Sequence, residues 1–127
     1  MENSNKLTTK KPFPNFTGHW RPFLLTFVPL VAGTLIYSFE DLPLFQGFIR
    51  NYIPDFLWAF SWGSCMLWLW NGCVPTGWWI AVVASFTIFE LGQMKGVIQG
   101  HGDFRDIIIY GIGLFFAKKA WKINQNQ

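Results

Sequence analysis

FLWAFSWGSCMLWLWNGCVPTGWWIAVVASFTIF, residues 56–89, decides how this chain folds. The stretch carries no charge, and as one helix rising about 1.5 Å per residue it would reach roughly 50 Å, well beyond a hydrocarbon core of about 30 Å. It has to turn, and its one concentration of turn formers is Asn71-Gly72-Cys73-Val74-Pro75-Thr76-Gly77. Division there predicts two spans, 55–70 and 77–94, paired as a helical hairpin. With the turn at one membrane face, the start of the first span and the end of the second meet at the other face, so Asp55 and Glu90 share a side.

Residues 22–39 are also uncharged and long enough, at about 27 Å, to form an earlier span. Pro29 should kink it, with Thr26 and Thr34 as candidates to satisfy the freed carbonyl. A fourth span is expected over 103–121, opening at Gly102 or Asp103, with Lys118, Lys119 and Lys122 snorkelling toward water at its far end. The expected fold is an all-α integral membrane four-helix bundle. A tail of residues 1–21 precedes a single membrane domain, 22–121, and a tail of 122–127 follows it.

Composition points the same way. The chain is 51% hydrophobic and 20% aromatic but only 13% charged, about half the charged share of an average soluble domain. The net charge of +3 is no argument for nucleic acid, because the lysines sit beside apolar runs as membrane-flanking anchors. Seven of the ten bases (Lys6, Lys10, Lys11, Arg21, Lys118, Lys119 and Lys122) lie on the terminal side of this topology. By the positive-inside rule both termini are then cytoplasmic, as an even number of spans requires. Trp20, Trp68, Trp70, Trp78, Trp79 and Trp121 fall near the same boundary, where indoles prefer to sit. Pro12, Pro14 and Asn15 follow the first lysines where a leader would be apolar, so no cleaved signal is expected. Cys65 and Cys73 offer neither a disulfide framework nor a zinc spacing.

Six of the seven acids, Glu40, Asp41, Asp55, Glu90, Asp103 and Asp106, gather at the extracytoplasmic end. Each has a plain structural reading. Asp55 follows Pro54 and reads as the acid of a helix's first turn, and Asp103 and Asp106 have the spacing of a helix cap. Glu90 lies inside an apolar span with Gln93 at i+3, a spacing suited to a polar clamp between helices or to a ligand. Three helix ends bringing acids to one face nonetheless suggest a pocket. If all were ionised and unpaired they would repel one another. At least one should be protonated, paired with Arg105 or Lys95, or bridged by a ligand or ion, and Glu90, the most deeply set, is the expected proton holder.

His101 with Asp103, Asp106 and Glu90 could surround a divalent cation, but a loop histidine beside acids is ordinarily a solvated turn residue, so no metal is expected. Nor is a cofactor, since no glycine-rich phosphate loop and no nucleophile with a matching base occur. Gly92, Gly96 and Gly100 form a small-residue strip expected to let a helix approach at its first part.

The segment Ser85-Phe-Thr-Ile-Phe-Glu90-Leu-Gly-Gln93, then Asp103-Phe-Arg-Asp106, then Tyr110-Gly111-Ile-Gly113, resembles the VanZ-like family of small bacterial membrane proteins. Asn51-Tyr-Ile-Pro54-Asp55-Phe-Leu-Trp58 looks like that family's earlier motif, an Asn before a Pro-containing span start. The likeness covers residues 45–115, with Tyr110 standing where many members carry Asn, and with no clear counterpart to an Arg common in the loop before the Asp pair unless His101 takes its place. It implies the bacterial cytoplasmic membrane and the cell envelope, with an envelope lipid or a glycopeptide-type molecule as ligand. No general biochemical activity of the family is implied. The functional expectation is an amphiphile-binding site formed by Asn51, Asp55, Glu90, Gln93, Asp103 and Asp106. Its rivals are a membrane-embedded enzyme with Glu90 as general acid and Asp106 as base, acting on a lipid-linked substrate, and a structural subunit whose aromatic surface packs on a membrane protein partner.

Overall fold

The computed structural model describes residues 20–39, 43, 47–99 and 102–125. These form four α-helices, with no strand among the described residues: α1 (Trp20–Ser38), α2 (Phe48–Leu69), α3 (Thr76–Met94) and α4 (Phe104–Gln125). α1, 19 residues long, is the helix whose length and mean hydropathy of 1.3 suffice to cross a membrane.

The turn at 70–75 falls where the sequence places it. α2 ends in Asn71, left-handed at φ 50°, which lets Gly72 N–H donate to the Leu67 carbonyl at 2.7 Å and Asn71 N–H to that of Trp68 at 3.2 Å. This is the two-bond closure of a Schellman motif. α3 ends the same way, with Gly96 at φ 69° and Val97 N–H on the Gly92 carbonyl at 2.9 Å. Gly92 therefore does not receive a neighbouring helix as the small-residue strip suggested. A Cβ there would lie 2.6 Å from the Ile98 side chain, which folds back over it. Gly100, the strip's last member, lies outside the described residues.

α2 begins earlier than expected. Its start is Phe48, after Gly47 at φ 69°, and Pro54 stands inside the helix. Proline reads as a start signal because the first turn loses no hydrogen bond to it, but here the glycine breaks the chain and Pro54 merely forfeits one bond further in. Asp55 consequently lies beyond the first turn, which holds no acid.

α2 is the centre of the array: its close neighbours are α1 and α4, and α3 leans on α4. The expected α2–α3 hairpin is thus splayed. Small residues explain which seams are tight. A Cβ on Gly113 would lie 2.7 Å from the Phe56 carbonyl oxygen, one on Gly63 2.8 Å from Ala117, and one on Gly33 2.9 Å from Trp58 Nε1. Backbones can approach closely there because no side chain intervenes. Ser61 of α2 donates to the Thr26 carbonyl in the proline-containing helix α1. The Thr34 hydroxyl instead bonds Leu30, and the Thr26 hydroxyl has no partner, so neither threonine fills the role expected of it.

The inward stripes are legible by helical period. On α3, Trp79, Val82 and Phe86 pack on the core and Glu90 follows one turn later. On α4, Asp106 and Tyr110 precede Leu114, Ala117 and Trp121, all buried. On α2, Asp55 precedes Ala59 and Gly63. At one end the core closes with Leu67, Ala117 and Trp121, against Trp68, Val74 and Trp79. At the other, all three stripes end in a carboxylate. Around this core the surface is strongly apolar: Glu90 is the buried residue of α3, whereas Ile80 and Ile88 are 64% and 68% exposed.

Candidate functional site

Glu90 is 1% exposed, in the position that helical period would give to a leucine. The Tyr110 hydroxyl donates to its Oε1 at 2.8 Å. Oε2 is buried without a hydrogen-bond partner. A hydrogen bond nets about 0.5–1.5 kcal/mol, and leaving the other buried oxygen bare costs about 1–3 kcal/mol or more. Tyr110 is held in turn by Phe86, whose ring stacks on it with centroids 4.5 Å apart and planes at 16°. The tyrosine also lies near the Asp55 side chain of α2.

The groups acting on Asp55 are Asp106, Glu90 and Tyr110, and the charged groups acting on Asp106 are Glu90 and Asp103. No base among the described residues is one of them. Arg105 is exposed and turns to Tyr52 and Asp103, and Lys95 is exposed, so neither neutralises the pocket as one alternative required.

Asp103 and Asp106 are first of all a cap. Asp103 Oδ1 accepts the Arg105 N–H at 3.2 Å, while Asp106 Oδ2 accepts the Asp103 N–H at 3.3 Å. This reciprocal arrangement starts α4. Asp103 remains exposed at the rim, whereas Asp106 is buried and faces Glu90. The turn is pressed against the end of α3 by Gly102, where a Cβ would come within 2.6 Å of the Glu90 carbonyl oxygen.

Of the six residues expected to form the site, Asp55, Glu90 and Asp106 lie near enough for their charges to act on one another, and Asp103 acts on Asp106. Gln93 is not Glu90's partner: its Nε2 donates to the Gln99 carbonyl at 3.3 Å and holds the loop after α3. Asn51, one turn before Asp55, is exposed. Tyr110 is the residue that sequence reasoning passed over. Its position four after Asp106 puts both on one face of α4, which is the signal that could have found it. His101, Glu40 and Asp41 lie outside the described residues, and among those described no group of three His, Cys, Asp or Glu side chains is placed to hold a metal.

Beside the acids, a cavity of about 350 Å³ occupies the gap left by the splayed α2 and α3. Trp58 and Trp62 line it from α2, Val82, Ser85, Phe86 and Phe89 from α3, and Tyr110 from α4. Tyr110 is therefore common to the apolar cavity and the carboxylates. Comparison with protein-family models, curated proteins and solved structures finds no match to this chain.

Proposed function

We propose that this chain is a multi-pass protein of the bacterial cytoplasmic membrane, VanZ-like in kind, with four spans and both termini cytoplasmic. At its extracytoplasmic end it binds an amphiphilic component of the cell envelope. The observation that carries the membrane reading is the company of buried polar and exposed large apolar side chains around a small apolar core. Glu90, Asp106, Ser61, Ser64 and Thr26 are buried while large apolar side chains such as Trp62, Ile80 and Ile88 are exposed. In water that arrangement is costly; in lipid it is the favourable one, since polar and small groups join helices and apolar ones meet acyl chains. The exposed lysines 118, 119 and 122 and Trp121 fall together near the end of α4, consistent with a cytoplasmic boundary there.

The binding reading rests on Tyr110, which bonds Glu90 and also lines an apolar cavity, and on Asp55 and Asp106, whose charges act on Glu90's end of the bundle. Two alternatives are less well supported. A purely structural role accounts for Asp103 and Asp106 through their cap and for the Glu90–Tyr110 bond as a clamp between α3 and α4, but leaves the Asp55 position unexplained. An acid–base enzyme lacks an evident nucleophile.

The test is the lipid that copurifies with the full chain, identified by mass spectrometry. Glu90→Gln keeps the shape and removes the charge. It should leave membrane yield near normal and abolish copurification of a ligand that the unaltered protein retains stoichiometrically. Equal retention by both proteins contradicts the role of Glu90.

A further inference from the structure

We propose that the tryptophan-rich end of the bundle is a docking surface for anionic phospholipids of the cytoplasmic leaflet, whose phosphate oxygens are taken by Lys118, Lys119 and Lys122 of α4. The inference rests on the four-span reading and is independent of what the acidic end binds.

Charge selects the partner. Lys118, Lys119 and Lys122 are exposed and fall within little more than one turn of α4. Like charges three and four residues apart on a helix repel, as Lys122 does with each of the other two. The helix dipole favours cations only in the last turn, and of the three lysines just Lys122 stands there. No acid of the chain relieves the others: the four among the described residues, Asp55, Glu90, Asp103 and Asp106, stand early in α2, late in α3 and at the start of α4, all toward the opposite end. The start of α1 adds a further base to the same end, Arg21, whose guanidinium lies 5.7 Å from the Trp20 ring. Phe23 meets Trp68 there with ring centroids 6.4 Å apart, and Trp68 packs on Leu67, Ala117 and Trp121. The surface is thus of one sign over a floor of indoles.

Depth selects lipid as the source of the counter-charge. Lys118 comes fourteen residues after Phe104, which at about 1.5 Å each is roughly 21 Å, short of a hydrocarbon core of about 30 Å. With the start of α4 at one boundary, the stems of Lys118 and Lys119 leave the helix among the acyl chains of the opposite leaflet, and their ammonium groups rise to its phosphate plane. Phe115 and Phe116, exposed on the preceding turn, meet those chains. At that depth the nearest oxygens of opposite charge belong to headgroups. A zwitterionic headgroup carries its own cation beside the phosphate, whereas an anionic one leaves the phosphate to the lysines.

The experiment places the full chain in phosphatidylcholine vesicles and follows quenching of its tryptophan fluorescence by brominated phosphatidylglycerol and by brominated phosphatidylcholine, which gives the relative affinity of the two. Phosphatidylglycerol should be favoured at least about fivefold at low ionic strength, falling toward equality in about 1 M salt. Lys118→Gln, Lys119→Gln and Lys122→Gln combined should remove most of the preference, whereas Lys95→Gln, at the opposite end, should keep it. Equal affinities in the unaltered chain overturn the proposal. So does a preference that survives the triple variant, or that falls as far in Lys95→Gln, in protein that remains helical and inserted. Displacement of phosphatidylglycerol by millimolar glycerol phosphate would reveal a site for a soluble anion and overturn lipid as the partner. Loss of a Glu90-dependent ligand at the acidic end leaves this preference unchanged, while a chain that fails to insert overturns the four-span reading and this inference with it.

Discussion

The two ends of the bundle are closed in opposite ways. At the end near the 70–75 turn, Leu67, Ala117 and Trp121 are buried against Trp68, Val74 and Trp79, and the Trp70 and Trp78 rings stand 5.1 Å apart. At the other end, Asp55, Glu90 and Asp106 occupy the same layer of the same stripes, with Tyr110 bonded to Glu90. Each end leaves a polar atom without a partner, Trp121 Nε1 at one and Glu90 Oε2 at the other. The first is a neutral donor, whose burial costs about 1–3 kcal/mol, and the second belongs to an ionisable carboxyl, far costlier to enclose if charged. One end is a finished core. The other is built like a core but ends in groups that require a proton or a partner.

The sharpest way to break the comparison is to open the seam beneath the acidic end. Gly113→Leu places a side chain where even a Cβ lies 2.7 Å from the Phe56 carbonyl oxygen. It should destabilise by about 3 kcal/mol or more, seen as a large fall in melting temperature in detergent or as lost yield. Gly77→Ala at the tryptophan end meets nothing within 4 Å and should be neutral or stabilising by up to about 1 kcal/mol. Similar losses from both would show that the small-residue seam is not what joins α2 to α4.

Tyr110→Phe should come next. It removes the donor to Glu90 Oε1 and leaves both carboxyl oxygens without hydrogen-bond partners among the described residues. A double-mutant cycle with Glu90→Leu, which removes the acceptor, should give a coupling of about 0.5–3 kcal/mol in thermal or denaturant unfolding. Coupling below about 0.5 kcal/mol would mean the pair is incidental. The smallest effect should be Asp103→Ala, which removes the cap at the Arg105 N–H and costs about 1 kcal/mol, while leaving the Glu90–Tyr110 coupling in place.

Much of this was legible in the sequence, for reasons that can be named. The turn between α2 and α3 could be found because 34 uncharged residues cannot form one helix across a bilayer and Asn71-Gly72 supplies the left-handed residues a helix end needs. Asp103 and Asp106 announced a cap by spacing alone. The start of α2 was misread because Pro54 carries the stronger local signal, whereas Gly47 breaks the chain through a backbone angle that composition does not display. Gln93 was paired with Glu90 from an i+3 spacing, which brings side chains near each other but does not prevent one from turning to a loop carbonyl, as it does at Gln99. Tyr110 was treated as a departure from a motif rather than as a donor. Its partner sits on another helix, and one helix's period cannot show what faces it.

On the proposed topology the acidic end and the chain termini lie on opposite sides of a membrane. Topology reporters placed after Gln127 and within the loop at Gly96 should then give a cytoplasmic signal from the first and an extracytoplasmic signal from the second, from protein that fractionates with the membrane and resists alkaline extraction. Both reporters on the same side, or a chain released into the soluble fraction, would contradict it.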